Sequence, residues 1–102
     1  MPGYLVACVR WHSAKAADSY GELARASLAP FGGKYLVRGA PIAVLEGSDA
    51  PERLAIIEFP STDDVRRWHE SDAYGRAREI RRASATTHWI VICDGVPAIP
   101  KP

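Results

Sequence analysis

The stretch Phe31–Ala40, FGGKYLVRGA, and its continuation Pro41–Phe59, PIAVLEGSDAPERLAIIEF, decide the fold. Gly32-Gly33 is a helix stop, because glycine accepts the left-handed backbone of a helix exit. A phosphate-binding loop would lead into a helix, whereas this pair leads into KYLVR (34–38), which reads as a strand. Gly39-Ala40-Pro41 interrupts that strand and IAVLE (42–46) resumes it. An internal glycine followed closely by proline marks a bulge on an edge strand, since proline has no N–H for the ladder. Gly47–Pro51 reads as a turn and RLAIIEF (53–59) as the next strand. The spacing suits a hairpin with Glu46 opposite Arg53, a pair worth roughly 0.2–1 kcal/mol.

Outward from this hairpin the pattern is regular. YLVACVR (4–10) is an apolar run of strand length. Ser13 caps a helix predicted to reach about Ala29, with Tyr20, Leu23, Ala24, Ser27 and Leu28 on one stripe. Ser61 caps a second helix with Asp64 three residues on, and Val65 and Trp68 form its apolar side. Ser71-Asp72 is another cap, so this helix breaks and restarts, with Ala73, Tyr74, Ala77 and Ile80 inward. TTHWIVICD (86–94) is the fourth strand. The order β-α-β-β-α-β predicts an α+β, ferredoxin-like domain with a four-stranded antiparallel sheet. Right-handed crossovers put the first and third strands in its centre. Two helical segments cover one sheet face only, yet the strands are apolar on both. The surplus predicts a homodimer formed through the uncovered faces.

The 102 residues are 47% apolar and 25% charged, with a formal net charge of +1. That suits one domain, expected over 1–95, followed by a proline-rich tail, 96–102. So weak a field, with scattered Lys and Arg, argues against nucleic acid or anionic lipid as a partner. No run approaches the roughly 20 apolar residues of a membrane span. MPGYLVACVRWH lacks the marks of a signal peptide, so a cytoplasmic protein with reduced thiols is expected. Cys8 and Cys93 have no metal-ligand spacing and read as buried, inert thiols; no metal site and no cofactor is expected. Arg76, Arg78, Arg81 and Arg82, with Glu79, read as a solvated helix face.

The blocks FGGKYLVRGAPIAVLEG and PERLAIIEFPS, with W-x-x-S-x-x-Y (Trp68, Ser71, Tyr74), resemble the bacterial family known as domain of unknown function 1330. The resemblance extends from about Tyr4 to Gly95. It implies a dimeric α+β barrel, a ferredoxin-like unit paired sheet to sheet, and no assigned reaction. Wider relatives of that architecture look like cofactor-free monooxygenases, small-ring isomerases and haem-modifying enzymes. The alanine-rich SAKAADSY and the bulky Trp11-His12 depart from the family pattern.

Arg38 is the first candidate site residue. With one bulge near Gly39, strand parity puts it beside Leu54, Ile56 and Glu58; without one, beside Ala55 and Ile57. In the first case Arg38 and Glu58 need each other or a ligand, because an unpaired buried charge is costly. Arginine's planar fork suits a carboxylate or enolate. Glu58 is a candidate general base if burial raises its pKa, and His12, in the loop after the first strand, is a second. Trp68 and Tyr74 are candidate walls of an apolar ligand pocket, each with a polar handle. Set against these are plainer roles: a structural ion pair for Arg38 and Glu58, core packing for the aromatics. Three readings follow: a module binding a small, partly apolar or anionic molecule, a cofactor-independent enzyme moving a proton, or a structural dimer.

Overall fold

Three serines start the three helices of the computed structural model, which describes residues 1–48 and 53–96. Ser13 Oγ accepts from the Ala16 amide, Ser61 Oγ from Asp64 and Ser71 Oγ from Tyr74, each at 3.2 Å. Each bond satisfies one of the amides that a helix start leaves without a partner. The helices are α1 (Ala14–Ser27), α2 (Thr62–Glu70) and α3 (Asp72–Ser84). The break at Ser71 follows the sequence expectation. α1 ends two residues before Ala29, and a 3-10 turn, Ala29–Phe31, leads to Gly32 at φ 72°.

The strands are β1 (Gly3–Trp11), β2 (Lys34–Pro41), β3 (Arg53–Phe59) and β4 (Ala85–Asp94). They form one antiparallel sheet in the order β2-β3-β1-β4. The fold is ferredoxin-like α+β, with β1 and β3 central as the crossover rule requires. The helices lie on one face. There Leu5, Ile57, Phe59, Val65, Trp68 and Tyr74 make the core, each at most 3% exposed.

The β2–β3 hairpin differs from its expected form. Residues 42–46 are not a strand, and Arg53 stands opposite Pro41 rather than Glu46. The bulge at Gly39 is present, with φ 66° there, and a second irregularity falls at Leu36. The register differs from the expected one by an odd number of residues, and an odd slip exchanges the two faces. Hence the bulged strand places Arg38 opposite Ala55, not beside Glu58.

The face away from the helices carries Val6, Leu54, Ile56 and Val91, with Trp89 and Val37, and Leu36 falls at the irregularity beside Val37. Leu36 is 52%, Trp89 41% and Val91 47% exposed. Cys93 also lies exposed on this side, opposite Tyr4, contrary to the expectation of two buried thiols. β4 is an edge strand, and its alternation turns every second residue away from the core. Cys8 is buried as expected, and burial raises its thiol pKa. Of the expected turn Gly47–Pro51, residues 49–51 lie outside the described residues, as do 97–102 of the tail. No helix among the described residues is long and apolar enough to cross a membrane.

Candidate functional site

α1 packs along α3 far more than onto the sheet. Between α1 and strands β1, β3 and β2 this leaves a groove of about 780 Å³. Such a volume lies within the range of small-molecule sites. Its floor is apolar, from Leu5, Ala7, Val9, Ala55 and Ile57. The odd-numbered residues of β1 reach it because alternate side chains share a face.

One wall is aromatic. Trp11 and Tyr20 have ring centroids 5.1 Å apart, Tyr20 and Tyr74 6.0 Å, and Tyr74 and Trp68 4.0 Å. The Tyr20 and Tyr74 hydroxyls share a 2.6 Å hydrogen bond. Burial, then the neighbouring Tyr74, hold the Tyr20 phenol well above its usual pKa, so it stays a neutral hydroxyl. Trp68 Nε1 donates to Ser27 Oγ at 2.8 Å. Its polar handle is therefore engaged within the core, and only its ring is offered to the groove.

Arg81 is the residue that composition concealed. It was grouped with a solvated basic face, but it is 5% exposed and lines the groove. Tyr74, Ala77 and Arg81 stand at i, i+3 and i+7, one inward stripe of α3. That spacing was the available signal, and the charge of the side chain masked it. Arg81 Nε donates to Tyr74 Oη at 3.3 Å and Nη1 to Thr87 Oγ1 at 2.7 Å. Among the described residues no carboxylate pairs with it. Its field reaches His69, whose pKa is lowered by burial first and then by Arg81, Arg78 and Arg82.

Arg38 sits at the mouth. Its Nη2 donates to the Gly21 carbonyl at 3.2 Å, joining β2 to α1, and its guanidinium lies 5.3 Å from the centre of the Tyr35 ring. Arg53 is also at the mouth and donates to the Gly39 carbonyl at 2.9 Å. Two exposed carboxylates, Asp18 and Glu22, border the groove from α1. They fall a turn apart on either side of Tyr20, so helical spacing alone puts them on its side of α1.

The structure brings Arg38, Trp68 and Tyr74 to one groove but leaves Glu58 and His12 out of it. Glu58 accepts from Tyr4 Oη at 3.0 Å and meets Lys34 Nζ at 3.1 Å, on the opposite face of the sheet from Arg38. The anticipated Arg38–Glu58 pair is therefore replaced by a Lys34–Glu58–Tyr4 cluster. Nor is the Glu58 pKa raised: Lys34 first, then the Tyr4 hydroxyl, lower it. A carboxylate with a depressed folded pKa stabilises the fold above its unfolded value and loses that contribution as pH falls through the folded one. Tyr4→Phe removes one of the two stabilising bonds. The Glu58 carboxyl titration, followed by its side-chain ¹³C shift, is expected to move to higher pH in that variant. An unchanged titration would show that the Tyr4 bond does not hold in solution.

His12 Nε2 lies 2.8 Å from Thr86 Oγ1, and its amide donates to the Ser84 carbonyl at 2.9 Å. The two contacts tie the β1–α1 loop to the start of β4 and to the end of α3. Among the described residues no cluster of three or more His, Cys, Asp or Glu side chains is placed to hold a metal ion.

A ferredoxin-like sheet with a groove under its first helix defines the class of this protein. Within that class, the chain belongs to the family described as Domain of unknown function (DUF1330), whose model matches residues 2–96. No curated protein matches it. Among solved structures it is similar to RPA0582, a protein of unknown function from Rhodopseudomonas palustris. That likeness is 19% identity over 95% of this chain and 84% of the other, with a TM-score of 0.75. It is also similar to a dimeric ferredoxin-like protein of unknown function from Jannaschia sp. CCS1, at 15% identity, covering 93% and 100% of the chains, TM-score 0.67. A third is SnoaB, a cofactor-independent oxygenase from Streptomyces nogalater, at 19% identity over 98% of both chains, TM-score 0.63. At these identities the likenesses show the fold.

Proposed function

We propose that this chain works as a homodimer joined through its open sheet faces, and that each subunit binds a small, partly apolar, anionic molecule in the groove under α1. The observation that carries the ligand reading is the groove itself: an apolar floor, an aromatic wall, and arginine at both depth and mouth. Apolar area supplies affinity and a few polar groups set orientation, as in small-molecule sites generally. The dimer reading rests on Trp89 and Val91, both exposed on the open face of the sheet. Structural relatives described as dimeric support it.

The enzyme reading draws on SnoaB, described as a cofactor-independent oxygenase. The Glu58 carboxyl and the His12 imidazole, the candidate proton-transfer groups, are not in the groove. Its own carboxylates, Asp18 and Glu22, are exposed at the rim. Binding is thus the function the geometry supports best.

A fragment screen of the ¹⁵N- and methyl-labelled protein tests the groove. Apolar anions are expected to shift the resonances of Leu5, Ala7, Val9 and Ile57 together. Shifts confined to the open sheet face, or none at millimolar ligand, would overturn the groove reading.

A further inference from the structure

We propose that Arg81, with the Tyr74 and Tyr20 hydroxyls, is the anion-recognition end of the groove, and that its ligand is a monocarboxylate on an aromatic body held carboxylate-inward. The inference rests on the groove reading above and assigns the orientation and chemical class of what enters.

Burial of an arginine that no acid neutralises is the starting point. A guanidinium taken from water without a counter-charge is costly, and buried cations are ordinarily paired. Arg81 is 5% exposed, yet its hydrogen-bond partners are two neutral hydroxyls, those of Tyr74 and Thr87. Its five N–H groups exceed what those two oxygens use. Neither hydrogen bond involves Nη2. Among the described residues no fully buried side-chain nitrogen or oxygen lacks a partner, so Nη2, which makes no hydrogen bond, is not sealed off, and Arg81 lines the groove. A carboxylate there would supply the missing charge through strong, charge-assisted hydrogen bonds.

The hydroxyl pair extends the same end. Arg81 Nε donates to Tyr74 Oη, which shares a proton with Tyr20 Oη at 2.6 Å. The chain therefore has one spare O–H, on whichever tyrosine does not donate within the pair. An anion, having only acceptors, complements both that proton and the guanidinium. The nearest acids of the groove, Asp18 and Glu22, are exposed on α1 at the rim, where water screens them. Their two charges offset those of Arg38 and Arg53 at the mouth, which leaves Arg81, among the described residues, as the cation at depth with no acid beside it. Trp11, Tyr20 and Tyr74 present a continuous aromatic wall, which suits a flat ring.

Isothermal titration and ¹H–¹⁵N spectra of the intact protein with 2-naphthoate and its neutral isostere 2-naphthamide test this. The carboxylate is expected to bind roughly tenfold or more tightly, and to move the Arg81 Nε–H resonance. Arg81→Gln should erase the preference of carboxylate over amide, and Arg38→Gln should preserve most of it. Should Arg81→Gln fail to fold, the unmodified protein still decides through the carboxylate-to-amide ratio and the Nε–H shift. Equal binding of acid and amide in the groove overturns the Arg81 assignment and leaves the groove reading standing. Absence of binding by both overturns the groove reading as well.

Discussion

Trp68→Ala is expected to lower stability by about 3–5 kcal/mol, the cost typical of emptying a fully buried large aromatic site. Trp68 is 1% exposed and lies 4.0 Å from the Tyr74 ring and 5.6 Å from the Phe59 ring, centre to centre. Its indole also links α2 to the buried Ser27 of α1. Three elements therefore lose contacts at once. A small domain has about 5–15 kcal/mol in total, so the variant should approach the limit of folding at 37 °C. Trp68→Phe keeps a ring in the stack and forfeits the hydrogen bond, for roughly 1–2 kcal/mol. Urea midpoints of the three proteins check both figures. If Trp68→Ala costs less than Trp68→Phe, the position is not the core site described here.

The second large effect is on association. Val91 is half exposed in the single chain and lies on the open face of the sheet, midway along edge strand β4 and opposite Val6. If a twin covers that face, Val91→Asp buries an unpaired carboxylate at the joint. The expected penalty is about 3–5 kcal/mol, which weakens dimerisation by on the order of a hundredfold to several thousandfold. The isolated subunit should barely notice, since exposed substitutions shift stability within about 0.5 kcal/mol. Sedimentation at several concentrations separates the two effects. A variant that unfolds without passing through a monomer would mean that the subunit has no independent stability. A variant with unaltered mass would mean that Val91 is not at the joint.

The parts of this fold that sequence exposes are those set locally. Ser13, Ser61 and Ser71 announce helix starts because a cap bond spans three residues. The strands over 4–10, 53–59 and 86–94 follow from short apolar runs, and their central order from a chirality rule. The hairpin register was not legible in the same way. It depends on where β2 stops pairing, and 42–46 has strand-like composition without strand pairing. One misplaced anchor, Glu46 for Pro41, exchanged the faces and with them the surroundings of Arg38. The nominated residues divided accordingly. Arg38, Trp68 and Tyr74 reached the groove by helix and strand periodicity, while Glu58 went to the far side of the sheet.

Arg81 teaches the complementary point. Charge argued for solvent, and periodicity argued for the interior stripe that begins at Tyr74. Periodicity won because two hydroxyls, Tyr74 and Thr87, stand where the guanidinium can reach them. Helical spacing places the Tyr74 hydroxyl on the same stripe, whereas the Thr87 hydroxyl is not legible locally, since it arrives from the next strand.

The central claim is that two copies of this sheet meet face to face. Isotope-filtered NOE spectroscopy on a mixture of labelled and unlabelled protein tests it most directly. Contacts between subunits are predicted at the methyl groups of Val6, Ile56 and Val91 and at the Trp89 ring, in a particle of twice the 11.1 kDa chain mass. A folded protein that tumbles as a single chain at high micromolar concentration, with no cross-peaks from those groups, would contradict it.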